Sequence, residues 1–191
     1  MITHLKGRLV EKTPTAIVIE CGGIGYEVKV SLNTFSKIGK DESVKIYTQF
    51  IVREDAQLLY GFIEKEEREM FNLLTSVSGI GPNTAILMLS ALTPDEIAQA
   101  ITAEDVPTIK SVKGIGLKTA QRVIVDLKDK MLKFEFSNDI VTNSNNTIKF
   151  EALTALVSLG FDKKVAEKAL GKVLADQKTV EHVIKDALRV L

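Results

Sequence analysis

Ser76-Val-Ser-Gly-Ile-Gly-Pro-Asn-Thr-Ala85 returns 35 positions later as Ser111-Val-Lys-Gly-Ile-Gly-Leu-Lys-Thr-Ala120. Ser, Val, Gly, Ile, Gly, Thr and Ala recur in the same places. Each copy follows an apolar helical stretch and opens another, so the spacing predicts helix, Gly-Ile-Gly turn, helix, twice over. Glycines at i and i+2 permit positive φ and close backbone approach, and the Ile between them can plug the turn onto its helices. The next helix begins at once, which leaves several amide N–H groups without intrahelical partners at one small convex tip. Such a tip holds anions, and for a doubled tip the expected anion is a phosphodiester.

Other phosphate-binding patterns fit less well. A P-loop needs Gly-Lys-Ser/Thr, but Leu117 precedes Lys118-Thr119; a dinucleotide fingerprint needs a third Gly where Thr84 and Thr119 stand. A single Gly-Ile-Gly is explained by a tight structural turn. Two in register, each followed by Thr-Ala on a helix, form a tandem helix-hairpin-helix signature for sequence-independent backbone binding. The candidate contacts are Gly79, Ile80, Gly81, Asn83 and Thr84 in the first copy, and Gly114, Ile115, Gly116, Lys118 and Thr119 in the second.

Charge separates the two copies. Net charge is zero, which argues against a generic basic coat. Residues 63–105 carry two basic and eight acidic side chains, whereas 106–132 carry six basic (Lys110, Lys113, Lys118, Arg122, Lys128, Lys130) against Asp126 and Asp129. The second hairpin therefore lies in a locally positive stretch, and the helices of the first are free to face protein.

Upstream, residues 1–62 read as strands. Alternation is visible in Ile17-Val-Ile and Tyr26-Glu-Val-Lys-Val30, with further strands over Ser43 to Val52 and Gln57 to Phe62. Thr13-Pro-Thr15, Gly22-Gly-Ile-Gly25 and Arg53-Glu-Asp-Ala56 supply turns, and Leu32 to Gly39 is a connector with room for one helical turn. Five short strands in about 60 residues predict a small closed barrel of the oligonucleotide-binding (OB) type. From Glu64 the period becomes helical, with acids in the first turn and Met70, Phe71 and Leu74 as the buried stripe. Thr93-Pro94 is an N-cap followed by Pro, opening a helix to Ile101; Glu104 to Val112 is a short helix. A helix from Leu117 to about Leu132 buries Ala120, Val123, Ile124 and Leu127.

Downstream, residues 133–147 lose their period and cluster Ser, Thr and Asn, which predicts a flexible linker. Three short amphipathic helices follow, at about 147–159, 163–174 (capped by Asp162) and 179–190. Some 45 residues in three helices make a thin core that gains from docking on something else.

The totals, at 191 residues, 45% hydrophobic and 26% charged, fit a soluble globular chain with one or two real cores. No apolar run approaches the roughly 20 residues of a membrane span, and charges interrupt the first residues where a signal peptide is apolar. Cys21 stands alone, so neither a disulfide framework nor a Cys-based metal site is expected; His4 and His182 lie far apart. The expectation is a cytoplasmic protein without cofactor, metal or membrane partner.

The order barrel, paired hairpins, linker and three-helix tail resembles the RuvA family of bacterial Holliday-junction branch-migration subunits over the whole chain. The likeness is sharpest in the two Gly-Ile-Gly hairpins and in Val52-Arg-Glu-Asp-Ala-Gln-Leu-Leu-Tyr-Gly-Phe62. It implies an α+β multidomain fold: an OB-like barrel (1–62), a tandem helix-hairpin-helix domain (63–132), the linker, and a three-helix, UBA-like domain (148–191). It implies a non-catalytic homotetramer, one or two per junction, that holds a four-way DNA junction open and square. The hexameric RuvB motor ATPase would dock on the tail, with Leu156, Leu159 and Phe161 as candidates, and the RuvC resolvase would be a further partner. Glu54 and Asp55 would be the acidic pin at the tetramer centre; without the resemblance they read as an ordinary solvated turn. The chain departs from the family pattern at Asn83 and Leu117, where lysines are common, so fewer ammonium groups reach phosphate. Two other readings rest on the same elements. One is a helix-hairpin-helix DNA glycosylase or nuclease accessory, for which Asp126 is too far along its helix; the other is an RNA-binding OB module.

Overall fold

Alternating apolar residues in the first 62 positions close a barrel. The computed structural model describes residues 1–39, 43–139, 144–173 and 179–191. Strands β1 (His4–Lys12), β2 (Ala16–Cys21), β3 (Ile24–Val30), β4 (Ser43–Val52) and β5 (Gln57–Phe62) join in the closed order β1-β2-β3-β5-β4. Every pairing is antiparallel except β3 with β5. Leu5, Ile17, Ile19, Val28, Val30 and Ile46 fill the interior, the period-2 set of each strand. Gly61 is required where β5 crosses the interior: a Cβ there would stand 2.5 Å from Val28 Cγ1 and 2.8 Å from Ile46 Cδ1. The connector after β3 holds α1 (Leu32–Lys37), capped by Ser31, whose hydroxyl accepts from the Thr34 amide.

Five of the following helices build the hairpin region: α2 (Lys65–Thr75), α3 (Pro82–Ala91), α4 (Pro94–Thr102), α5 (Val106–Lys110) and α6 (Leu117–Asp139). Met70, Phe71 and Leu74 are fully buried, as are Ala120, Val123 and Leu127 of α6. At the head of α4, Thr93 and Glu96 form a reciprocal capping box.

Barrel and hairpin helices share a core, and Met1–Leu132 forms one compact unit. Tyr60 and Phe62 of β5 each pack in a tilted arrangement against Phe71 of α2, at 5.1 Å between ring centroids. Beside them Glu67 is buried, its carboxylate accepting from the Ser31 hydroxyl and, at 2.6 Å, from the Thr34 hydroxyl. Burial raises its pKa, and those two hydrogen bonds oppose the rise.

Residues Lys133–Leu191 form the second unit. Its core is Ala152 and Leu156 of α7 (Ser144–Ser158), Ala166, Ala169 and Leu170 of α8 (Lys163–Val173), and Val183 and Ala187 of α9 (Val180–Val190). Gly160, at φ +98°, turns the chain after α7, and Asp162 Oδ1 accepts from the Lys164 amide at 2.9 Å to start α8.

Two expectations are corrected. The stretch 133–147 is not irregular where it is described: α6 continues to Asp139 and α7 opens at Ser144, while 140–143 lie outside the described residues. Extending a formed helix by one residue adds a hydrogen bond without a new nucleus, so polar residues with weak period can follow it. Leu156, a docking candidate, does not lie at the surface. It is fully buried in the second unit's core, on the face of Ala152 that α8 and α9 cover.

Candidate nucleic-acid interface

The repeated letters build the turns, and the unrepeated ones face solvent. In both copies the Ile side chain is buried and its amide donates back to the Val carbonyl, Ile80 to Val77 at 3.0 Å and Ile115 to Val112 at 3.1 Å. Ile80 and Ile115 are thus built into the turn, their side chains buried and their amides engaged within it. The first Gly of each pair carries the left-handed backbone, Gly79 at φ +96° and Gly114 at φ +92°. The second does not. Gly81 has φ −85° and caps α3, Gly116 is also outside the positive-φ set, and their carbonyls accept from Ala85 and Ala120 at 2.9 Å. Both glycines permit positive φ, but only the first of each pair uses it: a turn followed at once by a helix needs one reversal, and the next residue already belongs to the cap.

A Cβ at Gly81 or Gly116 would meet nothing within 4 Å. As N-cap, glycine has no side chain of its own to offer the first-turn amides of Asn83 and Thr84 in α3, or of Leu117, Lys118 and Thr119 in α6. Other helices of this unit are capped by a side chain, α1 by Ser31, α4 by Thr93 and α5 by Asp105. Where α2 lacks such a cap, Glu66 and Glu67 sit in its first turn; α3 and α6 have no acid there. Lys118 even adds a cation to the positive end of the α6 dipole, an unfavourable placement unless an anion joins it.

The two tips lie against each other. A Cβ on Gly79 would stand 3.7 Å from Thr119 Cγ2 and 3.8 Å from its hydroxyl oxygen. Tertiary folding thus sets the two copies side by side. Thr84 and Thr119 are half-buried, and Lys118 is exposed. Asn83 is exposed but engaged: its Oδ1 accepts from the Tyr60 hydroxyl at 3.0 Å, tying the head of α3 to β5. Burial raises the Tyr60 pKa, and the charge of Arg53 opposes the rise, so the phenol remains a donor.

Lys113 is one of the six cations of 106–132 but not one of the candidate contacts. It is exposed at the second tip, opposite Ser78 in the first. The signal was available as one of the mismatches between two otherwise matching phrases. Of the six cations in 106–132, Lys128 is drawn off by Glu104, whose pKa is lowered by that contact.

Glu54 and Asp55 are exposed on the β4–β5 turn, which the Arg53 amide closes on the Ala56 carbonyl at 2.8 Å. In the second unit Leu159 is 61% exposed, while Phe161 is half-buried against the core. Among the described residues no group of three or more His, Cys, Asp or Glu could hold a metal, and no helix is long and apolar enough to cross a membrane.

Three family models match in succession: the RuvA N-terminal domain over residues 1–61, a SAM-like helix-hairpin-helix tandem over 71–129, and the RuvA C-terminal domain over 150–191. The chain is 55% identical to a protein from Christiangramia forsetii, across the full length of both. It belongs to the RuvA family. Proteins from Flavobacterium psychrophilum and Cytophaga hutchinsonii are 51% and 50% identical, again over the whole of each chain. All three relatives carry the name Holliday junction branch migration complex subunit RuvA. The family's layout of OB barrel, tandem hairpins and C-terminal helical domain is the layout of this chain.

Proposed function

We infer that this chain binds the phosphodiester backbone of four-way DNA junctions through its two hairpin tips, as the non-catalytic, DNA-holding subunit of a branch-migration complex. The observation that carries this reading is the pair of glycine-capped helix N-termini set side by side, with Lys118 on the second. Backbone amides presented this way take phosphate oxygens and read no base edges, so the binding is structure-specific and sequence-tolerant. A chain with zero net charge reaches a polyanion through such local features rather than through a basic coat.

Family membership supports the remaining roles. Four copies around the crossover bring their Glu54–Asp55 turns together, where carboxylates repel phosphates and discourage uninterrupted duplex. One tetramer or two enclose the junction. The second unit, with Leu159 exposed beside Phe161, recruits the RuvB motor, and RuvC resolves the junction held open on this platform.

The test is a gel-shift comparison of a four-way junction with linear duplex of equal length, repeated across salt with Lys118→Ala. The expected result is a strong junction preference, with the slope of log affinity against log salt reduced by about 0.9 in the variant. Equal affinity for junction and duplex, or a slope that Lys118→Ala leaves alone, would refute the hairpin reading.

A further inference from the structure

The outer face of the barrel carries a cluster of cations that the hairpin reading does not use. On β4, Tyr47 is half-buried, and three cations converge on its ring: Lys45 Nζ at 5.3 Å, Lys65 Nζ at 5.7 Å and Arg68 Cζ at 5.4 Å from the centroid. Strand register extends the cluster, since Lys6 on β1 pairs with Lys45, and His4 with Tyr47. Among the described residues none of Lys6, Lys45, Lys65 and Arg68 is in an ion pair. Glu64, beside Lys65 in sequence, is held by Lys37 at 2.5 Å, and Arg68 also donates to the Thr3 carbonyl at 3.1 Å. A ring quadrupole attracts each cation, but three sharing one ring repel one another, and an arriving polyanion relieves that repulsion.

We propose that this cluster is a second DNA-backbone contact, taking phosphates of the duplex arm that the first hairpin grips. The inference rests on the hairpin reading and extends it along α2. That helix carries Lys65 and Arg68 at its N-terminal end and leads into the first hairpin at the other. Its 11 residues span about 16 Å, a length covered by about five phosphate steps of one DNA strand. Phosphates therefore match the cluster in charge, and their spacing allows one arm to reach both ends of α2. Lys45, Lys65 and Arg68 would neutralise phosphates, and the Tyr47 ring holds their side chains in place. A disordered acidic protein segment matches the charge alone.

The experiment uses the full-length protein with Lys45→Gln and Lys65→Gln together. Both side chains are exposed, and the substitution leaves the Arg68 bond to Thr3 in place. Affinity for a long-armed junction is measured across salt beside wild type and Lys118→Ala. The expected result is a salt slope reduced by about two, with affinity down about tenfold or more at low salt. An unchanged slope in the double variant overturns the proposal, whatever Lys118→Ala does. Loss of slope in the double variant but not in Lys118→Ala would fault the hairpin reading and leave the barrel contact standing. Unchanged DNA binding together with lost binding to polyglutamate would assign the cluster to an acidic protein, and would equally overturn the proposal.

Discussion

Replacing Gly116 with Ser should stabilise the fold and weaken DNA binding at the same time. Gly116 caps α6, lies outside the positive-φ set, and has open space where a Cβ would sit. Serine is a better N-cap than glycine by a few tenths of a kcal/mol, because its hydroxyl accepts from an amide two or three residues on. Those amides belong to Lys118 and Thr119, the donors assigned to phosphate. Gly114→Ser is the control: at φ +92° an L-residue costs about 1–2 kcal/mol. For a unit of 132 residues the unfolding entropy is about 0.28 kcal/mol/K, so Gly114→Ser should lower Tm by about 4–7 °C. Gly116→Ser should raise it by about 1 °C. A lost charged hydrogen bond is worth about 1.5–3 kcal/mol, so junction affinity of Gly116→Ser should fall at least tenfold. Calorimetry and gel shift on the same preparations supply both signs. Wild-type junction affinity in a folded Gly116→Ser protein would refute the assignment of these amides to phosphate. A Tm loss as large as that of Gly114→Ser would refute the backbone account of the turn.

Neutralising the acidic turn with Glu54→Gln and Asp55→Asn should strengthen linear-duplex binding and erode the junction-to-duplex affinity ratio, more at low salt than at moderate salt. An unchanged ratio at both salts would return Glu54 and Asp55 to an ordinary solvated turn. The buried carboxyl of Glu67 has its folded pKa raised above its unfolded value, so its contribution is fully present below the ordinary glutamate range, near pH 4.3, and is lost as pH climbs through the folded pKa. Glu67→Gln cannot ionise, so the urea midpoint of wild type should fall relative to the variant as pH rises; a difference constant with pH would refute burial as the cause.

The sequence by itself determined everything that is local and periodic. The alternation in β2, β3 and β4, the 3.6-residue stripe of Met70, Phe71 and Leu74, the Thr93-Pro94 start of α4 and the doubled Gly-Ile-Gly phrase each contain their own physical cause within a few residues. Tertiary structure decided what depends on neighbours distant in the chain. Which glycine of each pair carries positive φ is set within the turn itself, by its closure on Val77 or Val112, a choice that the letters alone leave open. Packing, rather than spacing, sets Gly79 against Thr119 and turns Asn83 toward Tyr60. The same holds for Leu156, whose helical period is legible but whose burial depends on α8 and α9 covering it. The cluster on Tyr47 joins β4 to the head of α2 across a strand, a turn and 21 positions from Tyr47 to Arg68, a juxtaposition that no period in the sequence encodes.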